Sequence, residues 1–284
     1  MFHMILHRFR AVSAAVLLLA LPCLCAAAER QSYTLAVIPN LPAVQLHKNW
    51  TPLAEHLSRE LGVKIELKLY DTINAFLDET QSGQADFIYS APNMFFLAYT
   101  KQKYIPLVRS SNMLRGLVFV RKDSPYSQVS ELKGKTIAFV GPKNVCSIIT
   151  RHSMMTGQGA IDYNVAFSGS TINVAKSVLL GKADAGATLD TSMMTDLPEL
   201  KNEFKVLLET EKLAPHPLAA HPRVPRKVRE AIASAVLALN TSDQGKKMLE
   251  AVKLANPVRA DYKRDYSLFS EVDFGRLDRQ VPKK

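Results

Sequence analysis

A short unit written twice constrains this chain more than any other feature. Thr72-Ile73-Asn74 opens a helical stretch that stops at Gly83-Gln84-Ala85-Asp86, ahead of an apolar strand. Thr171-Ile172-Asn173 opens a second, which stops at Gly181-Lys182-Ala183-Asp184 ahead of another. Each glycine suits the left-handed residue that ends a helix. Each aspartate reads first as a hydrogen-bonding group at the start of a strand. Two copies of one unit imply two similar α/β lobes rather than one large sheet, and 284 residues are enough to give each lobe its own core.

The pattern around the two copies agrees. Strands are predicted at 34–38, 63–69, 86–89 and 104–108, with helices at 50–61, 72–81 and 93–101. Trp50, Leu53, Ala54, Leu57 and Leu61 give the first helix one apolar face, and Gly62 ends it. A strand at 116–120 leads away. The second series has strands at 136–140, 164–167, 183–188 and 204–208, with helices at 146–156 and 172–180. From Pro225 onward the pattern is almost all helical, notably 226–239 and 243–253. Strands alternating with helices predict mainly parallel sheets with both faces covered.

The first residues read as an address. Arg8 and Arg10 precede an apolar run at 11–21, then Pro22 and Ala26-Ala27-Ala28, the layout of a cleaved signal peptide over 1–28. The run falls well short of the ~20 residues that span a bilayer. Lipidation at Cys23 or Cys25 is a minor alternative. The expected mature protein is soluble and periplasmic, and Cys146 is its one thiol, so its stability must come from packing. The net charge of +10 is spread thinly, with no run of five basic residues, which speaks against a nucleic-acid partner.

Two facing lobes suggest a cleft that closes on a small ligand beyond the carboxyl ends of the strands, where helix N-termini offer free N–H groups. Leu35-Ala36-Val37-Ile38-Pro39, Trp50-Thr51-Pro52-Leu53 and Gly83-Gln84-Ala85-Asp86-Phe87 begin a series of familiar segments. Val120-Arg121-Lys122-Asp123-Ser124, Leu132-Lys133-Gly134-Lys135, Phe167-Ser168-Gly169-Ser170 and Gly181 to Gly186 continue it. Asp243 to Leu249 and Asp265-Tyr266 close it. Together they resemble the phosphate/phosphite/phosphonate-type periplasmic solute-binding proteins of ABC importers. The resemblance implies the two-lobed type II periplasmic binding protein fold. The first lobe would span 29–115, the second 116–217, and 218–284 would return to the first lobe with the C-terminal helices. Crossings between lobes would fall near 115–119 and 217–221.

The resemblance also implies where a ligand would sit. Phosphonate-binding members carry a Ser-Thr-Ser stretch at the start of the second lobe's first long helix, where this chain has Asn144, Val145 and Cys146, followed by Ser147. The family's His-Asp after Gly-Ser becomes Thr171 and Ile172. The aromatic residue at a first-lobe strand end is kept as Tyr89 beside Ser90, and Asp190 also fits. The candidate ligand-binding residues are Tyr89, Ser90, Asn93, Asn144, Cys146, Ser147, Thr171 and Asp190. The expected ligand is less charged or more apolar than a phosphonate, for instance a carboxylate or a compound with an amine for Asp190. The partner would be a membrane permease or, alternatively, a sensor kinase, with the protein a monomer that carries no cofactor.

Blander readings compete at several positions. Cys146 is more simply a small buried hydrophobe than a reactive thiol. An enzyme using Cys146 with His152 as base is disfavoured, because a six-residue offset puts the two on nearly opposite sides of a helix. The same offset counts against a copper(I) site shared with Met154 and Met155. His216 and His221 read as structural or solvent-exposed, and Trp50 as core.

Overall fold

A computed structural model describes residues 32–156 and 160–281. The leader expected over 1–28, with Cys23 and Cys25, lies outside the described residues. In chain order the first part runs β1 (Ser32–Val37), α1 (Ala43–Leu61), β2 (Lys64–Lys68), α2 (Ile73–Gln81), β3 (Phe87–Tyr89), α3 (Pro92–Gln102) and β4 (Ile105–Ser110). The middle runs β5 (Gly116–Arg121), β6 (Thr136–Phe139), α4 (Val145–Thr156), β7 (Asn164–Phe167), α5 (Thr171–Leu179), β8 (Ala185–Leu189), α6 (Asp190–Thr195) and β9 (Phe204–Glu209). The last part runs β10 (Pro217–Ala220), α7 (Arg226–Ala238), α8 (Asp243–Ala251), β11 (Pro257–Arg259), α9 (Tyr262–Asp265) and α10 (Phe274–Arg279).

Among the described residues the strands form two sheets, of six strands in the order β11-β4-β10-β3-β1-β2 and of five in the order β7-β6-β8-β5-β9. Two lobes are thus present, as the repeat predicts, but the sheets are mixed rather than mainly parallel. β1 runs parallel to β2 and β3, and β6 parallel to β7 and β8. β5 and β10 each arrive from the other lobe, so each is inserted against its neighbours in the opposite sense. The chain therefore crosses at 111–115 and 210–216, just ahead of the two stretches expected to cross. The crossings are tied together by Leu114 and Leu213, whose N–H groups each donate to the other's carbonyl at 2.8 and 2.7 Å.

The repeat has a shared physical basis. Asp86 accepts from the Thr34 N–H at 2.9 Å, at the start of β1. Asp184 accepts from the Thr136 N–H at 2.9 Å, at the start of β6. Gly83 and Gly181 both sit at positive φ, 73° and 67°. The equivalent helix caps are Thr72, whose hydroxyl accepts from the Ala75 N–H, and Ser170, which accepts from Asn173. Thr171 therefore lies one residue inside its helix, and the two Thr-Ile-Asn runs are offset by one position in the structure.

Other differences are local. α1 begins at Ala43 rather than Trp50 and carries Pro52 in its interior. It holds because Leu46, Trp50, Leu53, Ala54 and Leu57 form one buried stripe against the first sheet, so packing outweighs the lost backbone bond. β11 interrupts the C-terminal part expected to be almost all helical, completing the edge of the first sheet beside β4. α7 and α8 pack in the first lobe's core. The return to the first lobe is incomplete, because Leu277 of α10 joins a cluster with Ile148 and Ile149 of α4 in the second lobe.

Candidate functional site

The carboxyl end of β3 in one sheet, and those of β6, β7 and β8 in the other, lead into the turns that carry the predicted site residues. Two of these turns touch. The Asn93 side-chain Nδ2, in the first turn of α3, donates to the Lys143 carbonyl at 3.1 Å, in the loop between β6 and α4. Lys143 Nζ reaches back to Asn74 Oδ1 of α2 at 2.5 Å. The lobes are therefore closed on each other along this line.

On the first-lobe side, Tyr89 is the last residue of β3 and is only 3% exposed. Its ring packs on Trp50, with centroids 4.6 Å apart, and stacks on His216 at 5.5 Å. Burial holds the Tyr89 hydroxyl protonated well above the ordinary range. Burial also lowers the His216 imidazole to about 4, so the ring is neutral at physiological pH. Ser90 is buried, with its N–H donating to Pro217 O at 3.3 Å. Asn93 is 3% exposed, and its amide orientation is fixed by chemistry. A carbonyl can only accept, so Nδ2 must face Lys143 and Oδ1 must face away. That Oδ1 is buried and has no partner among the described residues.

On the second-lobe side, Asn144 caps α4. Its Oδ1 accepts from the Ser147 N–H at 3.3 Å, and its carbonyl accepts from Ile148 at 3.0 Å. Ser147 is buried, and its hydroxyl accepts from the Gly141 N–H at 3.4 Å. Thr171 is half-buried at the first position of α5, behind the Ser170 cap. Asp190 opens α6, and its Oδ1 accepts from the N–H groups of Arg115 at 3.1 Å and Thr191 at 2.7 Å. One carboxylate oxygen is thus engaged in fastening the first crossing to the end of β8.

Cys146 follows the blander of its two readings, a buried hydrophobe, and not the ligand-binding one. Its side chain is 2% exposed inside the second lobe's core, in the cluster that holds Val118, Ile137, Phe139 and Ala187. Burial pushes its thiol well above the usual range. The helix turns this face inward because its apolar neighbours are there, so Cys146 is a packing residue and not part of the cleft. Its imagined partner His152 lies instead on the wall of a separate cavity with Thr210 and Lys212. Met155 belongs to a different cluster again from Met154 and Cys146. No group of three or more His, Cys, Asp or Glu among the described residues is arranged to hold a metal ion.

Sequence reasoning passed over Lys143 and Asn74, and it set His216 aside as structural or solvent-exposed. Lys143 had a usable signal, since it sits in a loop between a strand end and a helix start. His216 had none locally, because it reaches Tyr89 only through the pairing of β10 with β3.

This architecture has known counterparts. The family model for the phosphonate periplasmic substrate-binding protein of ABC transporters matches residues 35–266. XAC2383 from Xanthomonas citri, solved bound to ATP, superposes with a TM-score of 0.71 at 17% identity, over 89% of this chain and 100% of that one. PhnD1 from Prochlorococcus marinus, solved in complex with methylphosphonate, gives 0.71 at 16% identity, over 88% of this chain and 99% of that one. A binding protein component of a phosphonate ABC transporter from Pseudomonas aeruginosa gives 0.64 at 13%, over 88% of each chain. At these identities the structural likeness speaks for the fold. With the family model spanning most of the sequence, the chain belongs to the phosphonate-type periplasmic substrate-binding proteins of ABC transporters.

Proposed function

We propose that this protein is exported by a cleaved leader, captures a small ligand between its lobes as a monomer, and delivers it to an ABC permease. We further propose that the ligand is neither phosphate nor a simple phosphonate. The observation that carries the second statement is the start of α4. Asn144 spends its side chain on the Ser147 N–H, and Val145 and Cys146 are 5% and 2% exposed among apolar side chains. An anion there would meet few free donors, and each charged acceptor left unmatched is costly. Losing two charged hydrogen bonds at about 1.5–3 kcal/mol each weakens binding by on the order of a hundredfold or more.

The lining proposed for the ligand is Tyr89, Ser90, Asn93, Asn144, Ser147, Thr171 and Asp190, with His216 added. Asn93 Oδ1, buried without a partner among the described residues, calls for an N–H or O–H donor on the ligand. The neutral aromatic wall of Tyr89 and His216 suits a ligand with an apolar or planar part. Titration calorimetry of ligand-stripped protein with phosphate, phosphite and methylphosphonate tests the reading. None is expected to bind at sub-micromolar levels, and mass spectrometry of co-purified material should show a molecule without a phosphoryl group. Sub-micromolar binding of any of the three would overturn it.

A further inference from the structure

After β11 the chain makes firm contacts with the first lobe and then leaves it. Asp265 is 4% exposed and accepts from Arg109 of β4 at 2.9 Å, from Arg264 at 2.7 and 2.8 Å, and from its own turn at Asp261. Tyr266 is fully buried, and its hydroxyl donates to Pro215 O on the second crossing at 2.9 Å. The next residues lie over the junction. Phe269 and Val272 pack in one cluster with Leu114 and Leu213, the pair that ties the two crossings together.

α10 then docks on the second lobe. Arg151 of α4 is 0% exposed, and two acceptors in the last described residues take its Nε and Nη2 N–H groups. Gln280 Oε1 receives Nε and Nη2 at 3.2 and 3.1 Å, and the Leu277 carbonyl in the last turn of α10 receives Nη2. A buried guanidinium without such acceptors is strongly disfavoured, and a helix C-terminus carries the complementary partial charge. Arg151 therefore binds the end of α10 to the second lobe, as Asp265 and Tyr266 bind the preceding turn to the first.

We propose that residues 267–280 form a third connection between the lobes, a strap across the two crossings that limits how far the cleft opens. Any separation of the lobes must bend the seven residues between Tyr266 and Phe274, two of which are fixed in the junction cluster. The two crossings alone would permit a wide hinge, whereas three spans packed on one another restrict its amplitude.

The test measures the distance between spin labels at Lys101→Cys on the first lobe and Lys176→Cys on the second, both exposed positions. Cys23→Ser and Cys25→Ser remove the leader thiols, and Cys146 is buried. Two variants are compared with the parent, a chain ended after Val272 and the milder pair Leu277→Ala with Gln280→Ala. The expected result, without any ligand, is a distance distribution that broadens and moves to longer values by several ångströms in both. If truncation prevents folding, the double alanine variant decides the matter by itself. A distribution that superimposes on the parent's in a folded variant, either the truncation or the pair that loses the Leu277 side chain and the Gln280 acceptor while keeping the Leu277 carbonyl, would overturn the proposal, whatever ligand the cleft takes.

Discussion

At the scale of single residues, burial decides chemistry that residue type leaves open. His216 has an ordinary value of 6.5 and a folded value of about 4, because the imidazolium is denied solvent. With the folded value depressed, its contribution to stability is fully present above about pH 6.5, falls as the pH drops, and is gone below about pH 4. The shift corresponds to about 3 kcal/mol between those limits. Denaturant unfolding at pH 7, 5.5 and 4.5 should show that decline, and His216→Phe should flatten it while keeping the stack on Tyr89. An unchanged pH slope in that variant would remove His216 from the account. Cys146 gives a second test. Its raised thiol value and its place in the core predict negligible labelling by a thiol reagent in the folded protein, with rapid labelling in denaturant. Fast modification at neutral pH without denaturant would put the thiol in the cleft after all.

At the scale of elements, the two aspartates of the repeat do the same job with unequal support. Asp86 accepts from the Thr34 N–H and hydroxyl and pairs with Arg223 at 2.8 Å, whose remaining N–H groups hold the Gly83 and Gln84 carbonyls. Asp184 accepts from the Thr136 N–H and, at 3.4 Å, from the Tyr126 hydroxyl. Asp86→Ala is therefore expected to cost about 2 kcal/mol, discounted for the partly exposed arginine, and Asp184→Ala about 1 kcal/mol. Equal losses in chemical unfolding, or the reverse order, would show that the repeat is held by something else. This unit was legible in the sequence because a glycine turn, an aspartate and a short apolar run are local signals. The start of α1 was not, since Pro52 looks like a barrier until the stripe from Leu46 to Leu57 is seen buried. β11, three residues long, exists because β4 offers it an edge, which no local pattern announces. The site followed the same division. Of the residues proposed for it, Tyr89, Ser90 and Asn93 sit where a strand meets a helix, a junction the local pattern announces. The inward turn of Cys146 depended on a core assembled from β5, β6 and β8, which the spacing along one helix does not reveal.

At the scale of the whole molecule, closure is an equilibrium biased by what the touching turns present to each other. The contact between Asn93 and Lys143 joins the lobes through a side-chain donor and a backbone acceptor, so it survives most changes at position 143 but few at position 93. The same closed arrangement buries Asn93 Oδ1 without a partner among the described residues, which penalises closing on an empty cleft and rewards a ligand that brings a donor. Asn93→Asp separates these effects while barely altering shape. It puts a carboxylate oxygen, which can only accept, opposite the Lys143 carbonyl, replacing an attraction by a repulsion between two acceptors. A swing of about 1.5–3 kcal/mol follows, or roughly ten- to a hundredfold in favour of the open form. Small-angle scattering of wild-type protein carrying its co-purified ligand should therefore show a compact particle. The Asn93→Asp protein should be more extended and retain less ligand, while Lys143→Ala, which keeps the backbone carbonyl and loses only the exposed bond to Asn74, should change much less. Acidification supplies the control, because a protonated carboxyl regains a donor for that carbonyl. Compaction of the variant near pH 4 is the expected result, and indifference to pH would mean that the lobes are held closed elsewhere.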